Sequence, residues 1–310
     1  MKYILFWSTY SVENDTSIKG WKTRPIELSP FHRLTLRSYV KHNLDVDLYT
    51  YQNIESSSVP TGINLKDAGN IYSIVQAFSA LEKGHSIAIV SDCVRLGAAI
   101  SCNGIVIDMD AVILKPYTKH DGFYSSMPAK QTGGFAPKWG KAHPPITVHD
   151  NSWDGKALCA FPMKVSKTNK ENIKKLQNKI KHNLNSEPKD SNWTYILWTI
   201  KAFIREDKKA KLFQPIHNCP VPSWLHKGKC YSLEYPTRLD GKTQLFGYTL
   251  PSVEKIFKES HIVQHFFESA FSKSDTVDEN FWLNVNNDSL LGLEAKFILG
   301  DNWKQILDES

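Results

Sequence analysis

Cysteine is scarce and unpatterned: Cys93, Cys102, Cys159, Cys219 and Cys230 are odd in number, scattered, and never spaced as Cys-x-x-Cys. That excludes a disulfide-stapled miniprotein, and the thiols are expected to be reduced. Long apolar runs are missing too, since no window approaches the ~18 uninterrupted apolar residues of a membrane-spanning helix. The opening MKYILFWSTY has one early lysine and a short apolar run, without the longer stretch and small-residue cleavage site of a signal peptide. It reads as a first strand, and the chain is expected in the cytoplasm, where the acceptor-like triplets at Asn192 and Asn287 carry no meaning. No internal repeat, collagen-like period or low-complexity linker occurs. With 41% hydrophobic and 23% charged residues over 310 positions, the chain is long and apolar enough to bury a sizeable core, which excludes a disordered tail.

Charge is present in excess of one sign, +6 at pH 7. The densest cluster runs from Lys164 to Lys189 and includes Lys170, Lys174, Lys175, Lys179 and Lys181. Ile173, Leu176 and Ile180 recur there at helical spacing, so an amphipathic helix over 168–184 with a basic outer face is expected. A solvated face is the ordinary meaning of such a pattern, and peripheral contact with a membrane surface is the functional one. Nucleic acid is not expected, because the basic residues are not interleaved with aromatics and no binding module is recognisable.

The N-terminal third alternates strands and helices. Tyr3 to Trp7 is a short apolar strand. Ser29-Pro30 opens a helical pattern through Leu34, Leu36 and Val40, and Asp45 to Tyr51 alternates as a half-buried strand. Ile71 to Leu81 reads as a helix ended near Gly84, while Ile87 to Val90 fits strand or helix equally. Ser91 is the expected N-cap of a helix reaching about Ser101, with Asn103-Gly104 as its stop. Ile105 to Asp108 is a fully apolar strand entering an acidic end, as in a buried parallel sheet. This order predicts an open α/β sheet in one domain over 1–310, with a decorated C-terminal half.

The chemistry concentrates between Ser91 and Pro116. Asp108 and Asp110 flank Met109 at the carboxyl end of that strand, where open α/β sheets bind ligands. Two carboxylates one residue apart make a hard oxygen site suited to Mn²⁺ or Mg²⁺ and, through it, to a diphosphate. A helix over 92–101 carries the chain about 14 Å away. The strand returns it by roughly 10–13 Å. Asp92 and Arg95, one turn apart on one helical face, are therefore expected to meet Asp108 and Asp110 around one ligand. The start of that helix would add a positive end for phosphate.

These blocks resemble the DXD-motif glycosyltransferases of family 32, related to the initiation mannosyltransferase of yeasts and to the large glucosylating toxins. Phe6-Trp7 is similar to the family's first-strand aromatic motif. Leu28-Ser29-Pro30, Leu36-Arg37-Ser38 and Leu48-Tyr49-Thr50-Tyr51 are similar to its next stretch. Asp67-Ala68-Gly69-Asn70 stands where members carry Asp-Ala-Asn. Ser91-Asp92, Arg95, Asn103-Gly104 and Asp108-Met109-Asp110 resemble its core. The likeness is dense over 1–116 and sparse over 117–310. It implies a GT-A-like (Rossmann-like) open, mostly parallel sheet flanked by helices, with 1–116 as the nucleotide-sugar-binding core and 117–310 as the rest of the sheet and the acceptor side. It also implies transfer of a hexose from a nucleotide sugar, a UDP-sugar favoured over a GDP-sugar, to a glycan or lipid-linked saccharide acceptor. Retention of configuration and a divalent ion, Mn²⁺ or Mg²⁺, belong to the same implication.

By that resemblance Asp92, Arg95 and Asp110 are implied as catalytic, and Trp7, Asp92, Arg95, Asp108 and His265 as donor-binding. Trp7 would stack on the base, while Asp92 and Arg95 would hold sugar hydroxyls. Asp108, Asp110 and His265 would face the metal. His265-Phe266-Phe267-Glu268 is similar to a late His-Leu-Trp-Asn motif, with Phe267 and Glu268 as departures, and Asn103 replaces a usual glycine. His143, His149, Asp150 and Trp153 fall in a loop that could shape the acceptor pocket, and Trp193, Trp198 and Trp224 could serve as sugar platforms. Two other readings stay open. A haloacid-dehalogenase-like phosphatase would use Asp108 as nucleophile and Asp110 as acid/base, but the late acidic pair it needs is absent. A non-catalytic sugar-nucleotide or glycan-binding protein would keep the same donor groups.

Overall fold

The computed structural model describes residues 1–10, 16–117, 122–128, 156–188, 211–213, 241–242, 244–245, 248–264, 283 and 285–308. The chain begins with strand β1 (Lys2–Phe6), followed by helices α1 (Ile18–Thr23) and α2 (Pro30–Lys41) and strands β2 (Asp45–Thr50) and β3 (Ile63–Asp67). Next come α3 (Ile74–Glu82), α4 (Ile87–Cys102), β4 (Ile105–Val106) and β5 (Ala111–Ile113), then β6 (Phe123–Pro128), β7 (Lys156–Lys164) and α5 (Lys170–Leu184). Short strands β8 (Lys211–Phe213), β9 (Gln244–Leu245) and β10 (Tyr248–Thr249) precede α6 (Val253–Glu259), β11 (Ile262–Gln264), α7 (Leu290–Leu299) and α8 (Trp303–Asp308).

The central sheet has the order β3-β2-β1-β4-β7-β6-β8. Neighbours β3/β2, β2/β1, β1/β4 and β6/β8 run parallel, while β7 lies antiparallel to both β4 and β6. The molecule is thus a mixed α/β fold with a mostly parallel central sheet flanked by helices. Beyond Lys2, β1 is buried residue after residue because both sheet faces are covered. Ile4 and Phe6 join the cluster beneath α3, α4 and α5, and Tyr3 and Leu5 join the opposite cluster with Leu36 and Tyr39 of α2. A third cluster packs α6, α7 and α8 against Phe31 and Leu34 of α2.

The local signals explain several boundaries. Pro30 takes the first position of α2, and the Ser29 hydroxyl accepts from the His32 amide at 3.4 Å. α3 starts at Ile74 under a Ser73 cap instead of at Ile71, because the segment from Asp67 first closes a 3₁₀ turn in which the Asp67 carboxylate accepts from the Gly69 amide at 2.7 Å. Asn103 ends α4 in the left-handed region at φ 53°, one of the few residue types that tolerate it. Among the described residues no helix is long and apolar enough to cross a membrane.

Candidate functional site

Ser91 is not a cap: α4 begins at Ile87 under Ser86, whose hydroxyl accepts from the Ala88 amide at 3.2 Å. The ambiguous run Ile87 to Val90 is helical because Ile89 and Val90 drive into the core. Asp92 therefore sits in the second turn, where the backbone amides are already spent within the helix. The helix-end attraction for phosphate expected at Asp92 does not apply there. The return geometry survives, since α4 runs down to Cys102 and β4 comes back up beside β1. The Ile107 amide extends that pairing by donating to the Ile4 carbonyl at 3.1 Å.

At the carboxyl end of β4 the buried Arg95 guanidinium ties the parts together. Its Nη2 donates to Asp92 Oδ1 at 2.7 Å, and its Nη1 donates to the Ile107 carbonyl at 2.9 Å and to Asp108 Oδ1. Its Cζ lies 4.3 Å from the ring centre of Phe161 on β7. Arg95 and Asp92 are 5% and 8% exposed, so this is an interior ion pair rather than a surface one, and its geometry matters. Burial pushes the Asp92 carboxyl up to about 7, against the pull of Arg95, with the charge of Asp108 adding to the rise. For Arg95 burial alone would lower the pKa, but Asp108 and Asp92 together raise it. Of the four side chains expected to meet, Asp92, Arg95 and Asp108 are brought into contact, with Arg95 at the centre.

The turn carrying Asp108 and Asp110 is held from the other sheet face by α2. The Tyr39 hydroxyl donates to the Ala111 carbonyl at 3.3 Å, and the Ser38 hydroxyl accepts from the Ile113 amide at 3.0 Å. Burial raises the Tyr39 phenol well above its ordinary value, with Tyr3, Asp108 and Asp110 adding to the rise. Asp110 is half-buried two residues beyond Asp108. The pairing of β5 with β11 brings Gln264 opposite Ala111, so the backbone of β11 ends one residue along from Asp110. His265 itself lies outside the described residues, as do His143, His149, Asp150, Trp153, Trp193, Trp198 and Trp224.

Trp7 follows β1 at the same edge, its amide donating to the Tyr49 carbonyl at 2.9 Å. The half-buried indole packs on His32, ring centres 3.9 Å apart at 45°, so His32 occupies one of its faces. The indole Nε1 is buried and has no hydrogen-bond partner among the described residues. His32 is buried, which lowers its pKa to about 3 and leaves it neutral near pH 7, with Nδ1 2.7 Å from the Ser29 hydroxyl.

Asp108 and Asp110 form an oxygen-only pair. Among the described residues no group of three or more histidine, cysteine or acidic side chains gathers to hold a metal ion. The pair fits a divalent ion of the Mg²⁺ or Mn²⁺ type, which commonly takes one or two carboxylates and fills its shell with phosphate oxygens and water. Reading the sequence missed Phe161, His32, Tyr39 and Ser38. Ser38 stood in one of the resembling blocks without a role, and the others had no local signal, because each reaches the site through pairing of distant segments.

No family model matches the chain, and no curated protein matches it. Among solved structures the chain is similar to one described as "PaToxG Glycosyltransferase", at 14% identity and a TM-score of 0.40, over 67% of this chain and 69% of that one. A likeness at that level is too slight to assign a site or a reaction.

Proposed function

We propose that the protein is a metal-dependent glycosyltransferase that moves a hexose from a nucleotide sugar, a UDP-sugar in preference to a GDP-sugar, to a glycan or lipid-linked saccharide. The observation that carries this reading is the Arg95 bridge, which holds Asp92 and Asp108 together beside Asp110 at the carboxyl end of a parallel strand. That edge is where open α/β sheets receive nucleotide ligands. A carboxylate cluster there suits sugar hydroxyls on one side and a cation with a diphosphate on the other.

In this reading Asp108 and Asp110, with His265, hold Mn²⁺ or Mg²⁺. When bound, that ion neutralises charge on the departing diphosphate. Asp92 accepts hydrogen bonds from the donor-sugar hydroxyls, and Trp7 offers its remaining face to the base. Arg95 acts from behind, through the two carboxylates and the Ile107 carbonyl that it holds. The bond from the anomeric carbon to the diphosphate oxygen breaks with its electron pair leaving on the nucleoside diphosphate. The acceptor hydroxyl forms the new bond on the same face and releases its proton to solvent, giving retention. The phosphatase alternative asks Asp108 to attack phosphorus, which its pairing to Arg95 disfavours by lowering the carboxylate's nucleophilicity.

The test is a thermal-shift and donor-hydrolysis screen over UDP- and GDP-sugars, with and without Mn²⁺, beside Asp110→Asn. Stabilisation and slow sugar release by one donor, lost in the variant while the fold is kept, is the expected result. No response to any nucleotide sugar with metal present would overturn the reading.

A further inference from the structure

The segment from Lys164 to Leu184 holds seven lysines (Lys164, Lys167, Lys170, Lys174, Lys175, Lys179, Lys181) against Glu171 alone. That surplus of six equals the whole chain's net charge of +6. Taking these away leaves 31 of the 38 basic residues and 31 of the 32 acidic ones, so the rest of the chain is formally neutral. Most of the segment is α5, whose inner face, Ile173, Leu176, Gln177, Ile180 and Leu184, is buried. It is pressed close to α4: Gln177 Nε2 donates to the Cys93 carbonyl at 3.1 Å, and a Cβ on Gly97 would lie 2.2 Å from that nitrogen.

The outer face is what remains for a partner. Lys167, Lys174, Lys175, Lys179 and His182 are exposed, and Lys170 and Lys181 are half-buried. Among the described residues, the exposed acids nearest this face in sequence or at the helix end are Glu171, Glu187 and Glu82. Over its 15 residues the helix offers a straight basic strip roughly 22 Å long. The apolar side is consumed by the core, so α5 has no face left to insert into a bilayer, and the attraction must be coulombic. A convex lysine strip without aromatic side chains suits a continuous layer of negative headgroups better than unstacked bases.

We propose that the outer face of α5 docks the protein on the surface of a bilayer containing anionic phospholipid. α5 packs on α4, the helix that carries Asp92 and Arg95, so docking sets the candidate site one helix away from the headgroups, at an interaxial distance of roughly 8–10 Å. The proposal rests on charge and packing and not on the sugar-transfer reading, so the two can fail separately.

The test uses the full chain in co-sedimentation with vesicles of phosphatidylcholine alone or with about 30 mol% phosphatidylglycerol, at about 0.1 M salt. Binding to the anionic vesicles only, released at about 0.5 M salt, is expected. Lys174→Glu/Lys175→Glu/Lys179→Glu should lower the partition coefficient at least about 100-fold with an unchanged melting temperature. Should that variant fold poorly, Glu171→Lys supplies the opposite arm and should tighten binding severalfold. Equal binding to neutral vesicles, a charge-reversed protein that still binds, or binding to RNA without binding to anionic vesicles would each overturn the proposal.

Discussion

Replacing Arg95 by methionine removes the group on which three others depend. The guanidinium is 5% exposed and satisfies Asp92, Asp108 and the Ile107 carbonyl while lying over Phe161. Breaking a buried ion pair from one side costs about 3–5 kcal/mol, because the surviving charge stays buried. The orphaned carbonyl adds about 1–3 kcal/mol, and the lost cation–π contact about 1 kcal/mol. These contributions overlap, and methionine keeps much of the packing against Phe161, so the expected loss near pH 8 is about 4 kcal/mol. For a chain of this length that lowers the melting temperature by about 6 °C. The loss should depend on pH. With Arg95 gone, the Asp92 pKa rises above its already raised value, so the native state binds more protons than the unfolded state across a wider range. Stability of the variant then falls more steeply than that of the wild type as pH rises through that range, and the deficit at pH 5 should be about two-thirds of that at pH 8. Urea unfolding at the two pH values, followed by circular dichroism, reads both numbers. A deficit below about 1 kcal/mol, or one equal at both pH values, would refute the claim that Arg95 neutralises buried carboxylates.

In the wild type the Asp92 carboxyl, raised from 3.8 to about 7, makes the native state bind the extra proton between those values. Stability relative to Asp92→Asn should therefore fall as pH rises from about 4 to about 7 and level off above, and a flat difference would show that Asp92 titrates normally. Gly97→Ala gains up to about 1 kcal/mol of helix propensity. It also places a methyl group 2.2 Å from Gln177 Nε2 and 2.5 Å from Ile71 Cγ2. Overpacking should win with a net loss of about 1–2 kcal/mol in urea unfolding, partly recovered by adding Gln177→Ala; a stabilised variant would mean that α4 and α5 have room to separate.

Local chemistry made much of the first hundred residues legible. β1 is apolar because it lies mid-sheet, α2 is announced by Ser29-Pro30, and the down-and-back path of α4 and β4 follows from their lengths. Asp92, Arg95 and Asp108 could be brought together on that path alone, since a helix and the parallel strand after it must share an edge. What stayed hidden depends on partners far along the chain. Ser86 and Ser91 are both competent caps, and the choice falls to Ser86 only because Ile89 and Val90 find a core. Phe161 reaches Arg95 because β7 inserts antiparallel beside β4. Tyr39 and Ser38 hold the acidic turn across 72 and 75 residues of sequence, a distance no periodicity can span.

The same geometry implies that the carboxylates gathered at this edge cost stability. Asp92 and Asp108 share one guanidinium, so with both ionised the two carboxylates outnumber the cation that joins them. Burial is the first cause of the raised Asp92 and Tyr39, and the charge of Asp108 adds to both, with that of Asp110 adding to Tyr39. A divalent cation would cancel that excess, and its binding would be reported as added stability. Asp110→Asn removes a neighbouring negative charge without removing volume. It should therefore leave the metal-free protein as stable as the wild type or more stable by a few tenths of a kcal/mol, while abolishing the rise in melting temperature on adding Mn²⁺. A thermal-shift titration of both proteins separates the two effects. If Asp110→Asn melts several degrees lower without metal, Asp110 is a structural ligand of the turn; if it responds to Mn²⁺ as the wild type does, the cation is held elsewhere. The expected pattern, a sturdier protein that has lost its metal response, is that of a carboxylate kept at this edge for chemistry rather than for folding.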